Sequence, residues 1–210
     1  REIGYVKDRL DHVLVREENA RVEIEHKGAE LLALTRRLEN EQRRSEDLLT
    51  SLLPGPVAAE LRDHNVVVPS VSRAVAVLSV DLSELDGLAD LLSPQHLVAT
   101  ADRLFAAMDN IAEAHQLEPL RTSGDAYRCV GGMFDERKKR KDLTAEAVDA
   151  ALEMIGAAND TIRATVPPEL AWTPRVGVHT GPLVGGLVGG RKISFDVWGE
   201  TAQLAAALGL

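Results

Sequence analysis

Two hydrophobic rhythms divide the chain. From Arg1 to about Leu53, apolar residues recur in sevens. One series is Ile3, Leu10, Ile24, Leu31, Leu38 and Leu52; the other is Val6, Val13, Ala20, Leu34 and Leu48. Their alternating spacing of three and four is the a/d pattern of a parallel coiled coil, sustained over about seven heptads. So narrow a stripe suits a partner helix better than a globular core. The seam is imperfect, with Glu17 and Ser45 at a positions and Lys27 and Glu41 at d. Polar seam residues cost stability. They serve either a helix pair balanced between registers or a static coil that specifies one register.

Pro54-Gly-Pro56 ends this rhythm, because Pro cannot continue the helical ladder and Gly loosens the joint. Residues 54–70 therefore read as a hinge, with room for a short helix at Val57 to Leu61. Beyond it the pattern changes to short β-branched runs alternating with long helical stretches. Ala74 to Val80, Arg128 to Met133, Pro174 to His179 and Ile193 to Val197 read as strands. Pro94 to His115 reads as a helix burying Leu97, Ala101, Leu104, Phe105, Met108 and Ile111. Thr144 to Thr165 reads as another, with Thr144 as N-cap and Val148, Ala151, Met154 and Ile155 buried. Such alternation implies a layered α/β or α+β sandwich over 71–210.

Composition narrows the function. A net charge of -9 argues against nucleic-acid binding, which needs a concentrated basic surface. The one basic run, Arg137 to Lys141, is flanked by Glu136 and Asp142, has no interleaved aromatic residues, and reads as a solvated loop. The single Cys129 excludes an internal disulfide and fits a reducing compartment. No apolar stretch approaches the roughly 20 residues of a spanning helix. The chain opens at Arg1 without Met, so an N-terminal sensor or membrane module is expected upstream, with this part cytoplasmic.

Candidate chemistry begins with two carboxylates. Asp81 closes the first strand, and Asp125 lies in the turn of a hairpin at Ser123-Gly-Asp-Ala-Tyr127. Carboxylates at strand ends can share divalent cations that bind a triphosphate, although Asp is also an ordinary turn residue. Further on come a Gly-rich stretch after His179, readable as a hairpin whose glycines satisfy turn geometry, and Phe195-Asp-Val-Trp-Gly199 opening an Ala/Leu-rich helix.

Six pieces stand in order: Leu52-Leu-Pro54, Asp81, Thr122-Ser-Gly-Asp-Ala-Tyr127, Arg175-Val-Gly-Val-His-Thr-Gly181, Gly185 to Gly190 and Asp196-Val-Trp-Gly199. Together they resemble the catalytic domain of class III adenylyl and guanylyl cyclases across nearly all of Ser51 to Leu210. The helix before them is similar to the linker helix of soluble guanylyl cyclases and of bacterial cyclases. The resemblance implies an α+β, ferredoxin-like cyclase fold at 71–210, preceded by a coiled-coil signalling helix at 1–53. By comparison with the family the domain is C-terminally incomplete, since cyclase domains continue past the Asp-x-Trp-Gly helix.

The implied activity is conversion of ATP, less readily GTP, to a 3′,5′-cyclic nucleotide and pyrophosphate. Two Mg²⁺ or Mn²⁺ ions would lie on Asp81, the Leu82 carbonyl and Asp125, in a site formed between two subunits. Arg121 stands where the family has a purine-contacting Lys, and Asp196 matches the acceptor for the adenine amino group. An Arg/Asp pair still offers the donor and acceptor an adenine edge needs, although Arg is planar and differently hydrated. The chain departs from the family at the transition-state positions. Gln203 replaces an Asn and Ala207 an Arg, and loss of a phosphate-clamping Arg costs on the order of 10³ in rate. Ser83-Glu-Leu-Asp86 replaces a phosphate-cradling turn and brings acid close to a polyanion. Three readings follow: an active homodimer joined through coil and cyclase domain, the metal-bearing half of a heterodimer, or an inactive cyclase fold that relays a signal.

Overall fold

The computed structural model describes residues 2–120, 126–134, 140–190 and 192–209. It divides into two compact units, Arg1–Ser51 and Leu52–Leu210. The first is essentially one helix, α1 (Glu2–Leu52), on which Ile24, Leu31, Leu34, Leu38 and Leu48 are all exposed. Its surface ion pairs, Arg21 with Glu25 and Lys27 with Glu23, join successive turns of the same helix.

In the second unit the segment after Pro54 folds as α2 (Gly55–His64), with Pro56 in its first turn. The helix ends where Asn65 turns left-handed and its N–H returns to the Leu61 carbonyl at 2.8 Å. Two carboxylates hold α2 in place. Glu118 accepts a hydrogen bond from the Gly55 amide. Glu60 Oε1 accepts one from Val68 N at 3.1 Å, which draws the following segment back along the helix.

The remaining elements are β1 (Ser70–Asp81), α3 (Glu84–Gly87), α4 (Pro94–Ala114), β2 (Glu118–Pro119), β3 (Ala126–Gly131), α5 (Arg140–Thr165), a short 3-10 turn at Pro168–Leu170, β4 (Arg175–Val188), β5 (Ser194–Trp198) and α6 (Glu200–Leu208). The strands form one antiparallel sheet in the order β2-β3-β1-β4-β5. This is a mixed α+β architecture.

Register assigns the residues to faces, because residues directly opposite one another share a side of the sheet. Leu78 stands opposite Cys129 and Val178, and Val80 opposite Tyr127 and Val176. That face packs on α4 and α5 through Leu104, Met108, Met154, Ala158 and Ile162. Ser93 caps α4, its side chain accepting from His96 N at 3.3 Å. The opposite face carries Val77, Ser79 and Asp81 on β1 with Gly177 and Arg175 on β4, and α6 lies against it.

Two expectations are corrected. Helix α5 begins at Arg140, so Thr144 is an interior residue rather than the N-cap. Its buried stripe runs Leu143, Ala147, Ala150, Ala151, Met154, Ala158 and Ile162, while Val148 is 42% exposed. Alanines on that stripe let the helix approach the sheet closely, and the larger Val148 is turned outward. The Gly-rich segment is not a turn throughout. β4 continues to Val188, taking Gly185 and Gly186 into the sheet, and the chain leaves it at Gly189, where φ is +101°.

Candidate active site

The sheet edge at Asp81 is built by β1, β3 and β4. Asp81 stands opposite Ala126 on one side and Arg175 on the other. Asp81 Oδ2 accepts a hydrogen bond from the Arg175 guanidinium at 2.5 Å, and Oδ1 accepts one from Ser83 N at 3.0 Å. The Asp81 side chain is 12% exposed, whereas that of Arg175 is 53% exposed. Burial pushes the Asp81 carboxyl up, but the Ser83 amide and hydroxyl and the Arg175 guanidinium outweigh it and hold it below its ordinary value of 3.8. The result is a carboxylate kept ionised at neutral pH.

The neighbouring turn is anchored by apolar side chains. Leu82, Leu85 and Leu88 are buried, and the Leu82 carbonyl accepts Leu85 N at 2.9 Å, the one hydrogen bond it takes among the described residues. Glu84 and Asp86 are exposed. Arg121 and Asp125 lie outside the described residues. Their place in the chain is nonetheless bounded, because Leu120 N donates to Arg128 O across β2 and β3, and Ala126 is paired with Asp81. Residues 121–125 connect those two points, and Asp125 directly precedes the partner of Asp81.

The other candidates sit on β5 and α6. Asp196 is half-buried opposite Gly186, and its Oδ1 accepts the following amide, Val197 N, at 2.8 Å. Gly199 then takes φ +148°, a region that side-chain-bearing residues rarely enter, and α6 starts. Thr201 Oγ1 donates to the Pro182 carbonyl at 2.7 Å, and Ala205 is fully buried. A Cβ added at Gly177 would lie 2.0 Å from the Ala205 carbonyl oxygen, so glycine lets α6 seat on β4. With Thr201 and Ala205 facing inward, Gln203 and Ala207 share the exposed face one turn apart. That face presents an amide and a methyl group at these two positions.

The structure thus brings Asp81, the Leu82 carbonyl and Arg175 together at the ends of β1 and β4, with Ala126 of β3 opposite Asp81. Asp196, Gln203 and Ala207 belong to a separate stretch of β5 and α6. Arg175 is the functional candidate the sequence reading passed over. It heads the Arg-x-Gly-x-His motif quoted above, but only strand register shows that it meets Asp81.

A model of the adenylate and guanylate cyclase catalytic domain matches residues 67–209. The chain belongs to that family. An adenylate cyclase of Mycobacterium tuberculosis is 35% identical over 176 residues, which cover 81% of this chain and 38% of the relative. A membrane guanylyl cyclase of Dictyostelium discoideum is 29% identical over 171 residues, covering 80% of this chain and 11% of the relative. The chain therefore spans well under half the length of these curated relatives. Among solved structures, a bacterial light-regulated adenylyl cyclase superposes with a TM-score of 0.66 at 18% identity, over 85% of this chain and 52% of that one. The α+β cyclase fold is common to both. None of the helices among the described residues is long and apolar enough to cross a membrane.

A divalent cation suits the donor set at Asp81. The carboxylate is half-buried yet ionised, lies at a strand end beside the Leu82 carbonyl, and is held by a guanidinium that a metal ion can replace. Among the described residues, Asp81 and the Leu82 carbonyl are the groups that could hold it, and Asp125 lies outside them.

Proposed function

We propose that this cyclase domain converts ATP, in preference to GTP, to a 3′,5′-cyclic nucleotide and pyrophosphate, at a site shared between two chains. The observation that carries the reading is the ionised Asp81 carboxylate beside Arg175, on the strand that pairs with the segment following Asp125. Bound Mg²⁺ or Mn²⁺ would supply charge neutralisation for the triphosphate and acidify the ribose 3′-hydroxyl. Asp81 and Asp125 hold that charge in place. Arg175, largely exposed, provides a cation on the phosphate side. Arg121 and Asp196 offer the donor and acceptor for the adenine edge. Phosphoryl transfer of this kind depends mostly on positioning and electrostatics, which matches a site of carboxylates and guanidinium. The leucine stripe of α1 pairs two chains and conveys control to the cyclase domain.

A second reading is favoured by the face of α6. Gln203 and Ala207 occupy it without a guanidinium, so this chain furnishes the metal-bearing half of a composite site. The partner then brings the amide and the Arg.

The test is cyclic nucleotide formation by the purified chain with ATP or GTP and Mg²⁺ or Mn²⁺, alone and with a partner bearing Lys, Asn and Arg at the positions of Arg121, Gln203 and Ala207. Product from the chain alone supports self-sufficient catalysis, and product only in the mixture supports the half-site. Absence of nucleotide binding in either case refutes both and leaves a relay domain. Asp81→Ala should abolish whatever activity is found, and surviving activity would sink the metal assignment.

A further inference from the structure

The α1 seam carries charge that a second copy cannot answer. From its heptad register we infer that the cognate partner of this helix is a different chain, with Lys or Arg opposite Glu17 and Glu41. The inference rests on the half-site reading above and names the partner it requires. In a parallel pair, each a or d residue meets its own counterpart, so self-pairing sets Glu17 against Glu17 and Glu41 against Glu41. Both side chains are exposed on the single helix, and neither makes an ion pair among the described residues. Arg21, one turn from Glu17, is engaged with Glu25 instead. Arg37 and Arg44 flank Glu41 without bonding it. Lys27 differs from these two, because Glu23 of its own helix meets it at 2.6 Å. The unanswered seam charge is therefore negative at both places.

The flanking positions carry the same message independently. In a parallel pair each g residue faces the e residue five positions further on in the partner. Self-pairing would place Arg16 against Arg21, Glu23 against Gly28, Glu30 against Thr35, Arg37 against Gln42 and Arg44 against Leu49. Nearer the start of the helix Glu2 would face Lys7 with opposite charge, but none of these five pairs is of opposite charge, and the first is repulsive. Like charges drawn into a seam also lose hydration without gaining a partner. A helix with cations opposite Glu17 and Glu41 removes both penalties while still burying Ile24, Leu31, Leu34, Leu38 and Leu48. Such a chain is suited to supply the Asn and Arg that the face of α6 lacks.

Sedimentation equilibrium of the full chain tests this without reference to catalysis. A second full-length chain is made with Glu17→Lys and Glu41→Lys, labelled for separate detection, and mixed with the wild type. The mixed dimer should be at least about tenfold tighter than either self-dimer, and high salt should narrow the gap. Glu17→Leu/Glu41→Leu should tighten self-association by at least the same factor. A wild-type self-dimer as tight as the mixture, or unaffected by the leucines, overturns the inference. Adding Arg121→Lys, Gln203→Asn and Ala207→Arg to the lysine-bearing chain separates the two levels. A mixed dimer that forms yet makes no cyclic nucleotide upholds the pairing and counts only against the cyclase reading.

Discussion

The two faces of the central sheet solve opposite problems with the same strands. One packs Leu78, Val80, Tyr127 and Cys129 against α4 and α5, filling space with bulk. The other keeps Gly177 bare so that α6 can rest on the backbone, and ends in the charged pair Asp81 and Arg175. Alternation along β1 is enough to produce both, since successive side chains point to opposite sides. Stability and candidate chemistry are thereby held on separate sides of the same twelve residues.

The largest expected effect comes from filling the bare side. Gly177→Ala puts a methyl group into the Ala205 carbonyl and the Gly209 amide, backbone atoms that cannot swing away. The loss should be about 4 kcal/mol, beyond ordinary overpacking, with α6 displaced and any cyclase activity lost. Denaturant unfolding and activity would be read together, and a folded, active variant would show that α6 is not fixed by this contact. Truncating the bulky side should behave differently. Leu104→Ala opens a hole beneath α4 and should cost about 3 kcal/mol, while the fraction still folded keeps its metal response.

The smallest effect concerns protonation and has opposite signs at two carboxylates. Burial raises the Glu118 carboxyl above its ordinary 4.5, the Gly55 amide opposing only in part. A raised acid makes the folded state bind protons more readily, so stability falls as pH rises from 4.5 through the folded value. Glu118→Gln should remove that slope and leave the protein slightly more stable at pH 7, by under about 1 kcal/mol after solvent screening. Asp81 runs the other way. Its depressed pKa contributes stability above 3.8 that is lost as pH falls below it. Thermal melts across pH 3 to 7 would reveal both, and an unchanged slope in the Glu118 variant would remove Glu118 as its source.

Much of this was legible in the sequence where the signal is local. The buried stripe of α4 follows from apolar spacing, and Ser93-Pro94 marks its start in residue chemistry alone. The reading of α5 found the helix with Ala151 and Met154 buried but missed the rest of the stripe, because small residues carry weak hydrophobic signals. Ala147, Ala150 and Ala158 form the contact, while the more apolar Val148 faces water. At the site, Asp81 was legible as the residue that closes a strand, while the Asp125 hairpin lies outside the described residues. Arg175 was not legible, since nothing within its own segment records the residue it opposes. The role of Gly177 was hidden for the same reason. Its constraint comes from a helix nearly thirty residues later.

That separation has a kinetic consequence. Asp81 and Arg175 are 94 positions apart, and the β1–β4 pairing that joins them is the most extensive in the sheet. Closing such a loop costs chain entropy before any contact rewards it, so this ladder should zip after the nearer β4–β5 hairpin has formed. On the ribosome the first of these strands waits for the second to be synthesised. Until then Asp81 lies on a strand that β3 can pair on one side only, and the candidate metal site is among the last parts of the fold to exist.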